Sequence, residues 1–206
     1  MSWVVFDFGG VIGTQQPGED VAAMAAAAGV TTAEFGRAYS PPRFAYDIGE
    51  LSAEGFWQDI AGRLGRSFTR PQIAELVRLD VASWSHLRED TVRLVRDLRS
   101  AGRRLAVLSN MPREQVEAVT GMPVARHFEH LLFSCDFKAG KPDPDCFRQA
   151  LDRLGAPARE VIFIDDREVN VRAAIEMGMR AIQFTSPHQA RAALAEIFGP
   201  GVLLPG

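Results

Sequence analysis

Apolar runs alternate with amphipathic segments along the part of the chain that follows residue 84. A short apolar run predicts a buried strand, and apolar residues that recur every three to four positions predict a helix. Strands are predicted at 103–110, 130–136, 161–166 and 180–185, and helices at 89–102, 142–155, 167–178 and 186–198. Apolar strands that alternate with helices are typical of a parallel sheet covered on both faces. The pattern therefore predicts an α/β fold.

One strand stands apart from the others at the start of the chain. Residues Trp3 to Phe6 are apolar and run directly into Asp7, and no convincing strand follows in residues 15–84. That stretch predicts helices only, at 21–29, 31–39, 52–65 and 69–79. The economical interpretation is a core domain of residues 1–14 and 85–206, with an all-helical domain of residues 15–84 inserted after the first strand.

Local signals mark the ends of several helices. Thr31 with Glu34, and Ser186 with Gln189, have the spacing of a capping box, in which two side chains bond backbone N–H groups of the first turn. Gly155 follows a predicted helix directly, as is typical of a helix C-terminus. These signals predict helix starts near residues 32 and 187.

Composition and charge exclude several classes of protein. The chain has 206 residues, of which 47% are apolar and 24% charged, as in a soluble globular protein. Its net charge of −3 gives no reason to expect a nucleic-acid partner, and no apolar run is long enough to span a membrane. Two cysteines make no disulfide framework, and the N-terminus lacks a signal-peptide pattern, so a cytoplasmic location is expected. The oligomeric state cannot be read from the sequence.

Polar residues stand where the predicted strands end, and these are the candidates for chemistry. Ligands of parallel sheets bind beyond the carboxyl ends of the strands. Each candidate alone fits an ordinary turn or helix cap, but three carboxylates at one sheet edge would repel one another unless a cation lay among them. Mg²⁺ prefers oxygen ligands and often accompanies phosphate groups. The candidates are Asp7, Ser109, Asn110, Lys141, Asp165 and Asp166.

The use of lysine and asparagine supports this interpretation. Of 23 basic residues only two are lysines, Lys138 and Lys141, and both lie beside the proposed site. The only two asparagines are Asn110, at a strand end, and Asn170, shortly after the aspartate pair. A compact ammonium can lie between a carboxylate and a phosphate where a planar guanidinium cannot. The rare residue types therefore indicate positions where their particular chemistry is needed.

A dinucleotide site after the first strand fits poorly. The glycine-rich fingerprint requires a glycine at the position of Phe8, and the carboxylate of Asp7 would face the pyrophosphate.

Taken together, four segments resemble the four motifs of the haloacid dehalogenase-like (HAD) hydrolase superfamily. In chain order they are FDFGGV, LSN, GKPDP and IDD with Asn170 downstream. The segment DIGELSAEGFW resembles the start of a cap helix in the β-phosphoglucomutase-like and sugar-phosphatase branch. The resemblance covers nearly the whole chain. It implies the HAD fold, a Rossmann-like parallel sheet, with an all-helical cap inserted after strand one.

The resemblance implies a catalytic role for each motif. Asp7 is similar to the nucleophile that attacks phosphorus and becomes an aspartyl phosphate. Ser109 resembles the hydroxyl that binds the phosphoryl oxygens, with Asn110 beside it. Lys141 resembles the lysine that neutralises the nucleophile and the phosphate. The implied function is a Mg²⁺-dependent phosphatase that acts on a small phosphorylated metabolite, for example a sugar phosphate.

The resemblance also implies a metal site, and here the sequence departs from many family members. The implied ligands are Asp7, Asp165, Asp166 and the backbone carbonyl of Gly9. Many family phosphatases have at position 9 an aspartate that protonates the leaving group, a contribution of ~10²–10⁴-fold in rate. Gly9 has no side chain, so the resemblance leaves the identity of the acid open.

Two other functions remain open. Without the acid, the chain could be a catalytically weak protein that binds phosphorylated metabolites. A 2-haloacid dehalogenase also uses an aspartate nucleophile but needs no metal, which would leave the aspartate pair without a purpose. In this family the cap selects the leaving group, and the candidate contacts are Gln15, Gln16, Arg43, Phe44, Tyr46 and Trp57.

Overall fold

The computed structural model describes residues 2–199 and contains a five-stranded sheet in which every strand pair is parallel. The strand order is β3-β2-β1-β4-β5. Because β1 lies between β2 and β4, the residues that follow these three strands lie side by side. The predicted α/β fold is confirmed. The strands are β1 Trp3–Phe6, β2 Arg104–Ser109, β3 His130–Phe133, β4 Val161–Asp165 and β5 Arg180–Gln183.

Five α-helices lie between β1 and β2, and the first four of them fall within residues 15–84. These four are α1 Gly18–Ala27, α2 Thr32–Asp47, α3 Ala53–Arg63 and α4 Arg70–Ser83. The remaining helices alternate with the strands: α5 Glu89–Ser100, α6 Arg113–Thr120, α7 Ser134–Phe137, α8 Pro144–Leu154, α9 Glu168–Glu176 and α10 Pro187–Phe198. None of the helices in residues 2–199 is long and apolar enough to cross a membrane.

The sheet is buried on both faces, as β1 illustrates. Val4 and Phe6 pack with the apolar residues of α5 and α10, whereas Trp3 and Val5 pack with those of α8 and α9. This alternation follows from the two-residue period of a strand. All four residues are at most 2% exposed. The buried strand fixes the position of the residue that follows it, Asp7.

Helices α1 to α4 have an apolar cluster of their own, centred on aromatic residues such as Phe35, Phe56 and Trp57. The two chain segments that connect these helices to the sheet run side by side. Gly13 bridges Leu87, and the N–H of Thr14 donates to the carbonyl of His86 at 2.8 Å. This arrangement supports the proposed division into a core and a cap of residues 15–84, which stays a proposal.

Several predicted boundaries differ from the structure. The strand predicted at 130–136 ends at Phe133, and the next four residues form α7. Helix α2 does not end at Tyr39 but continues through Pro41 and Pro42 to Asp47, since its apolar face packs into the cap cluster. No element was predicted for residues 113–120, yet these residues form α6.

The capping predictions were right at one helix and partly wrong at another. Thr31 and Glu34 form the predicted capping box of α2. At α10 the Ser186 hydroxyl accepts from the N–H of Gln189, but the Gln189 side chain accepts from Thr185 instead of Ser186.

Candidate active site

Asp7 stands at the carboxyl end of the central strand. Its N–H donates to the carbonyl of Ile164 at 2.8 Å, which continues the pairing of β1 with β4 by one residue. Its Oδ1 accepts from the N–H of Phe8 at 2.6 Å, and the residue is only 7% exposed. The strand therefore delivers a buried carboxylate in a fixed orientation.

Lys141 joins two strand ends through one ammonium group. Its Nζ lies 2.8 Å from Oδ1 of Asp7 and 2.7 Å from Oδ2 of Asp165, and the residue is 1% exposed. The Asn110 side chain holds its backbone: Asn110 Nδ2 donates to the Lys141 carbonyl, and the Lys141 N–H donates to Asn110 Oδ1, both at 2.8 Å. Asn110 therefore positions Lys141.

Asp165 is surrounded by hydrogen-bond donors. Besides Lys141, it accepts from the N–H of Arg167 at 2.9 Å and from Asn170 Nδ2 at 3.0 Å on both carboxylate oxygens. The Oδ1 atom of Asn170 is buried and has no hydrogen-bond partner among the described residues. The second asparagine of the chain thus orients the carboxylate and leaves one acceptor free.

Asp7, Asp165 and Asp166 form an acidic cluster, with one oxygen from each lying within 4.8 Å of the others. Burial raises the pKa of Asp7 to about 7; Lys141 opposes this rise, and the two other carboxylates add to it. Burial and Asp165 likewise raise the pKa of Asp166. Burial lowers the pKa of Lys141, but Asp7 and Asp165 raise it by more. With all four groups ionised, three carboxylates and one ammonium leave a net charge of −2.

Two glycines after Asp7 allow other groups to approach the backbone. Gly10 has a positive φ of 79°, and a Cβ there would lie 2.4 Å from Oδ2 of Asp166. A Cβ on Gly9 would lie 3.1 Å from Cζ3 of Trp84, which follows α4. The aromatic ring of Trp84 therefore lies close to the backbone at position 9.

A cavity of about 530 Å³ opens over this edge of the sheet and has lining residues from both the core and residues 15–84. On the core side it is lined by Asp7, Phe8, Gly9, Ser109, Asn110, Met111, Gln115, Lys141, Pro142, Asp166, Arg167 and Asn170. On the other side it is lined by Gln15, Tyr39, Ser40, Arg43, Phe44, Asp47 and Trp84. Of the predicted catalytic and metal-binding residues, Asp165 alone does not line the cavity, and it is fully buried.

The six residues predicted to contact the leaving group from the cap fall into two groups. Gln15, Arg43 and Phe44 line the cavity, and Gln15 Nε2 donates to Asp166 Oδ2 at 2.9 Å. Gln16 bonds Ser83, Tyr46 bonds Glu114, and Trp57 is buried in the cap cluster. These last three therefore do not line the cavity.

Sequence reasoning missed other residues of the cavity wall, above all Asp47, Trp84 and Gln115. Their positions depend on the rotation and docking of helices, and no local motif marks them. Asp47 lies within the segment that resembles a cap-helix start, which was the only available signal for it.

Comparison with known proteins gives phosphatases among the relatives. The phosphoserine phosphatase of Thermus thermophilus is 38% identical over 88 residues, or 42% of this chain and 35% of that protein. The phosphorylated carbohydrates phosphatase of Thermotoga maritima is 30% identical over 80 residues, or 38% of this chain and 37% of that protein. Each match spans little more than a third of the relative's length.

Solved structures share the fold at low sequence identity. A predicted HAD-like family hydrolase from Porphyromonas gingivalis aligns over 97% of this chain and 98% of its own, with 22% identity and a TM-score of 0.77. A HAD family enzyme from Bacteroides thetaiotaomicron, in complex with magnesium and inorganic phosphate, aligns over 88% and 93%, with 20% identity and a TM-score of 0.66. The L-2-haloacid dehalogenase from Xanthobacter autotrophicus aligns over 100% and 85%, with 19% identity and a TM-score of 0.70.

The family itself is established by a longer match. The model of haloacid dehalogenase-like hydrolases matches residues 1–178, and the four motif segments meet at one edge of the sheet, as that family requires. The chain therefore belongs to the haloacid dehalogenase-like hydrolases.

Proposed function

We propose that this hydrolase is a Mg²⁺-dependent phosphatase that acts on a small phosphorylated metabolite, such as a sugar phosphate, through an aspartyl phosphate on Asp7. One observation carries the proposal: a buried carboxylate at the sheet edge is held by a buried lysine, beside a second acidic residue, in a cavity roofed by helices. Relatives named as phosphatases support it.

Each core residue then has a defined role. A carboxylate of Asp7 attacks phosphorus, which divides one difficult displacement into two easier ones. Phe8 and Lys141 bond only its Oδ1, so Oδ2 is the atom that can attack or bind a cation. Ser109 donates its hydroxyl to the phosphoryl oxygens, and Lys141 offsets their charge. Positioning and electrostatic stabilisation supply most of the catalysis in phosphoryl transfer.

The residues present fit a divalent metal ion. The site's net charge of −2 equals the charge that such an ion would neutralise, and Gln15 is the only side chain that donates to Asp166 among the described residues. Asp7, Asp166 and the Gly9 carbonyl would hold the ion. Both oxygens of Asp165 already accept hydrogen bonds, so Asp165 would support the ion indirectly, with Asn170 Oδ1 as a free acceptor beside it. When bound, Mg²⁺ neutralises charge on the transferring phosphoryl group.

The test is phosphate release from a panel of phosphate esters with Mg²⁺ present. Asp7→Asn should reduce release to background, because the amide cannot attack phosphorus, while Asp152→Asn, the same change at an exposed site on α8, should leave it unchanged. Turnover by Asp7→Asn at the wild-type rate would exclude Asp7 as the nucleophile.

Two outcomes would favour the other candidate functions. Binding of phosphorylated metabolites without turnover would indicate a binding protein, as the missing side chain at Gly9 suggests. Release of halide from a 2-haloacid, unchanged by EDTA, would indicate a dehalogenase, whose fold this chain shares.

A further inference from the structure

The proposed phosphatase reaction lacks a proton donor at its usual place. Gly9 has no side chain, and a Cβ at this position would lie 3.1 Å from Cζ3 of Trp84, so position 9 itself supplies no proton donor. The donor must then come from another part of the cavity wall. The following inference rests on the proposed function and concerns the cap side of the same cavity.

Asp47 is a carboxylic acid on that side. It is the last residue of α2, it lines the cavity, and its side chain is 13% exposed. Nε of Arg43 donates to its Oδ1 at 2.7 Å. Within residues 2–199 no group donates to its Oδ2, so one oxygen is anchored and the other is available to a ligand.

A buried hydroxyl fixes Asp47 to the phosphate-binding side of the cavity. The Ser134 hydroxyl donates to the Asp47 carbonyl at 2.5 Å and accepts from the N–H of Met111 at 2.9 Å. Met111 follows Ser109 and Asn110 directly. The Ser134 hydroxyl therefore links Asp47 to the loop that we propose binds the phosphoryl group. This link holds the backbone of Asp47 close to the loop that follows β2.

Two other ionisable residues on the cap side, Tyr39 and Arg43, are unsuited to proton transfer. The Tyr39 hydroxyl donates to Asp80 at 2.5 Å, and burial raises its pKa far above the usual range. Arg43 remains charged, since Asp80 and Asp47 raise its pKa against the effect of burial. Burial raises the pKa of Asp47 to about 6, with Arg43 opposing and Asp80 adding to the rise. Both protonation states are then accessible near neutral pH, as a general acid and base requires.

We propose that Asp47 is the general acid and base that replaces the carboxylate missing at position 9. In the first step an oxygen of Asp7 bonds to phosphorus, the bond from phosphorus to the leaving oxygen breaks, and that oxygen takes the proton of Asp47. In the second step the Asp47 carboxylate takes a proton from water, the water oxygen bonds to phosphorus, and the bond to Asp7 breaks. Phosphate leaves, and both carboxyl groups return to their starting states.

The experiment compares two leaving groups in Asp47→Asn. An alkyl phosphate needs a proton on its leaving oxygen, whereas p-nitrophenolate is a stable anion and leaves without one. We expect kcat/KM to fall ~10²–10⁴-fold for the alkyl phosphate and less than about tenfold for p-nitrophenyl phosphate. The matched control is Asp80→Asn, which removes the other carboxylate bonded to Arg43 but does not line the cavity. It should affect both substrates equally.

Several outcomes would overturn the inference: an equal loss for both substrates in Asp47→Asn, the same selective loss in Asp80→Asn, or no rescue of the alkyl phosphate by Asp47→Glu. If Asp47→Asn does not fold, wild-type pH profiles decide. As the pH is raised, activity toward the alkyl phosphate should begin to fall at a lower pH than activity toward the aryl phosphate, because Asp47 loses its proton. Identical pH profiles for the two substrates would contradict the proposed role of Asp47. These results differ from a failure of the proposed function, in which wild type would release no phosphate from any ester.

Discussion

At the scale of single residues, the site depends on one ammonium group shared by two carboxylates. Lys141 lies between Asp7 and Asp165 with 1% of its surface exposed, and Asn110 holds its backbone from the next strand. A buried ion pair requires close geometry, because the loss of hydration is repaid only by short contacts. The identity of this basic residue therefore matters more than its charge.

Replacement of Lys141 by arginine tests this point. Lys141→Arg keeps the charge but introduces a planar fork into a fully packed space, so we expect at least a ~100-fold loss of kcat/KM, comparable to the loss of one preorganised donor. Steady-state kinetics against p-nitrophenyl phosphate would measure it. Lys138→Arg, at the chain's other lysine, should retain activity, since among residues 2–199 that ammonium donates to the Gly49 carbonyl alone. Equal activity of the two variants would show that a positive charge at position 141 is sufficient for activity, whatever the shape of the side chain.

The substitution Gly9→Asp tests the contact with Trp84. A Cβ at position 9 would lie 3.1 Å from that ring, so we expect the aspartate to displace either the ring or the backbone and to lower kcat/KM for an alkyl phosphate. In a Trp84→Ala background the same aspartate has room and should raise kcat/KM above that of Trp84→Ala alone. The double-mutant cycle measures this coupling; additive effects would mean that the ring does not restrict position 9.

At the scale of elements, helix α2 connects the cap with the core. Its Arg43 guanidinium donates to Gln115 at 3.1 Å, and its Tyr46 hydroxyl donates to Glu114 at 2.9 Å. Both acceptors belong to α6, the helix that the sequence pattern did not predict. The docking of α2 on α6 and on Ser134 thus shapes the cap side of the cavity.

Removal of the Ser134 hydroxyl should loosen this docking. Ser134→Ala leaves the Asp47 carbonyl and the Met111 N–H buried without their partner, which should lower the free energy of unfolding by about 1–3 kcal/mol. We expect kcat/KM to fall as well, since Asp47 and the phosphate-binding loop lose their link. Urea denaturation and kinetics would measure both. Ser85→Ala, whose hydroxyl donates to the Val81 carbonyl four residues earlier in the chain, should change neither by much.

At the scale of the whole molecule, the acidic cluster couples metal binding to folding. Without a cation, three carboxylates and one ammonium share a buried space, and burial raises the pKa of Asp7 to about 7. A ligand that binds only the native state stabilises it. The charge imbalance on which the proposed metal site rests therefore predicts a more stable protein when the cation is present.

We expect Mg²⁺ at about 100 times its Kd to stabilise the protein by ~2.7 kcal/mol, which raises Tm by roughly 5–10 °C for a chain of this size. Thermal unfolding with Mg²⁺ and with EDTA measures the difference. In Asp166→Ala the shift should be largely lost, because a proposed direct ligand is gone. An equal shift in wild type and Asp166→Ala would place the metal elsewhere, and phosphatase activity that survives EDTA would exclude the metal from the reaction.

The sequence by itself determined the sheet and the inner half of the site. Periodicity located the strands, and covalent order placed Asp7, Ser109 and Asp165 at or directly after strand ends. In a parallel sheet those ends lie along one edge, so their meeting required no knowledge of side-chain packing. The rare Lys141 and Asn170 could be connected to the site for the same reason, since each lies within a few residues of such an end.

Only the tertiary structure decided which residues form the outer half of the site, the side that residues 15–84 contribute. Whether Asp47 or Tyr46 lines the cavity depends on the rotation of α2, and that rotation is set by contacts with α6 and Ser134, which lie 68 to 87 residues away in the chain. The position of Trp84 over Gly9 likewise depends on how α4 returns to the core. Such contacts between distant segments leave no periodic signal in the sequence, because many packings of amphipathic helices bury similar apolar area. The proposed nucleophile could therefore be named from the sequence, whereas the proposed acid became visible only in the folded chain.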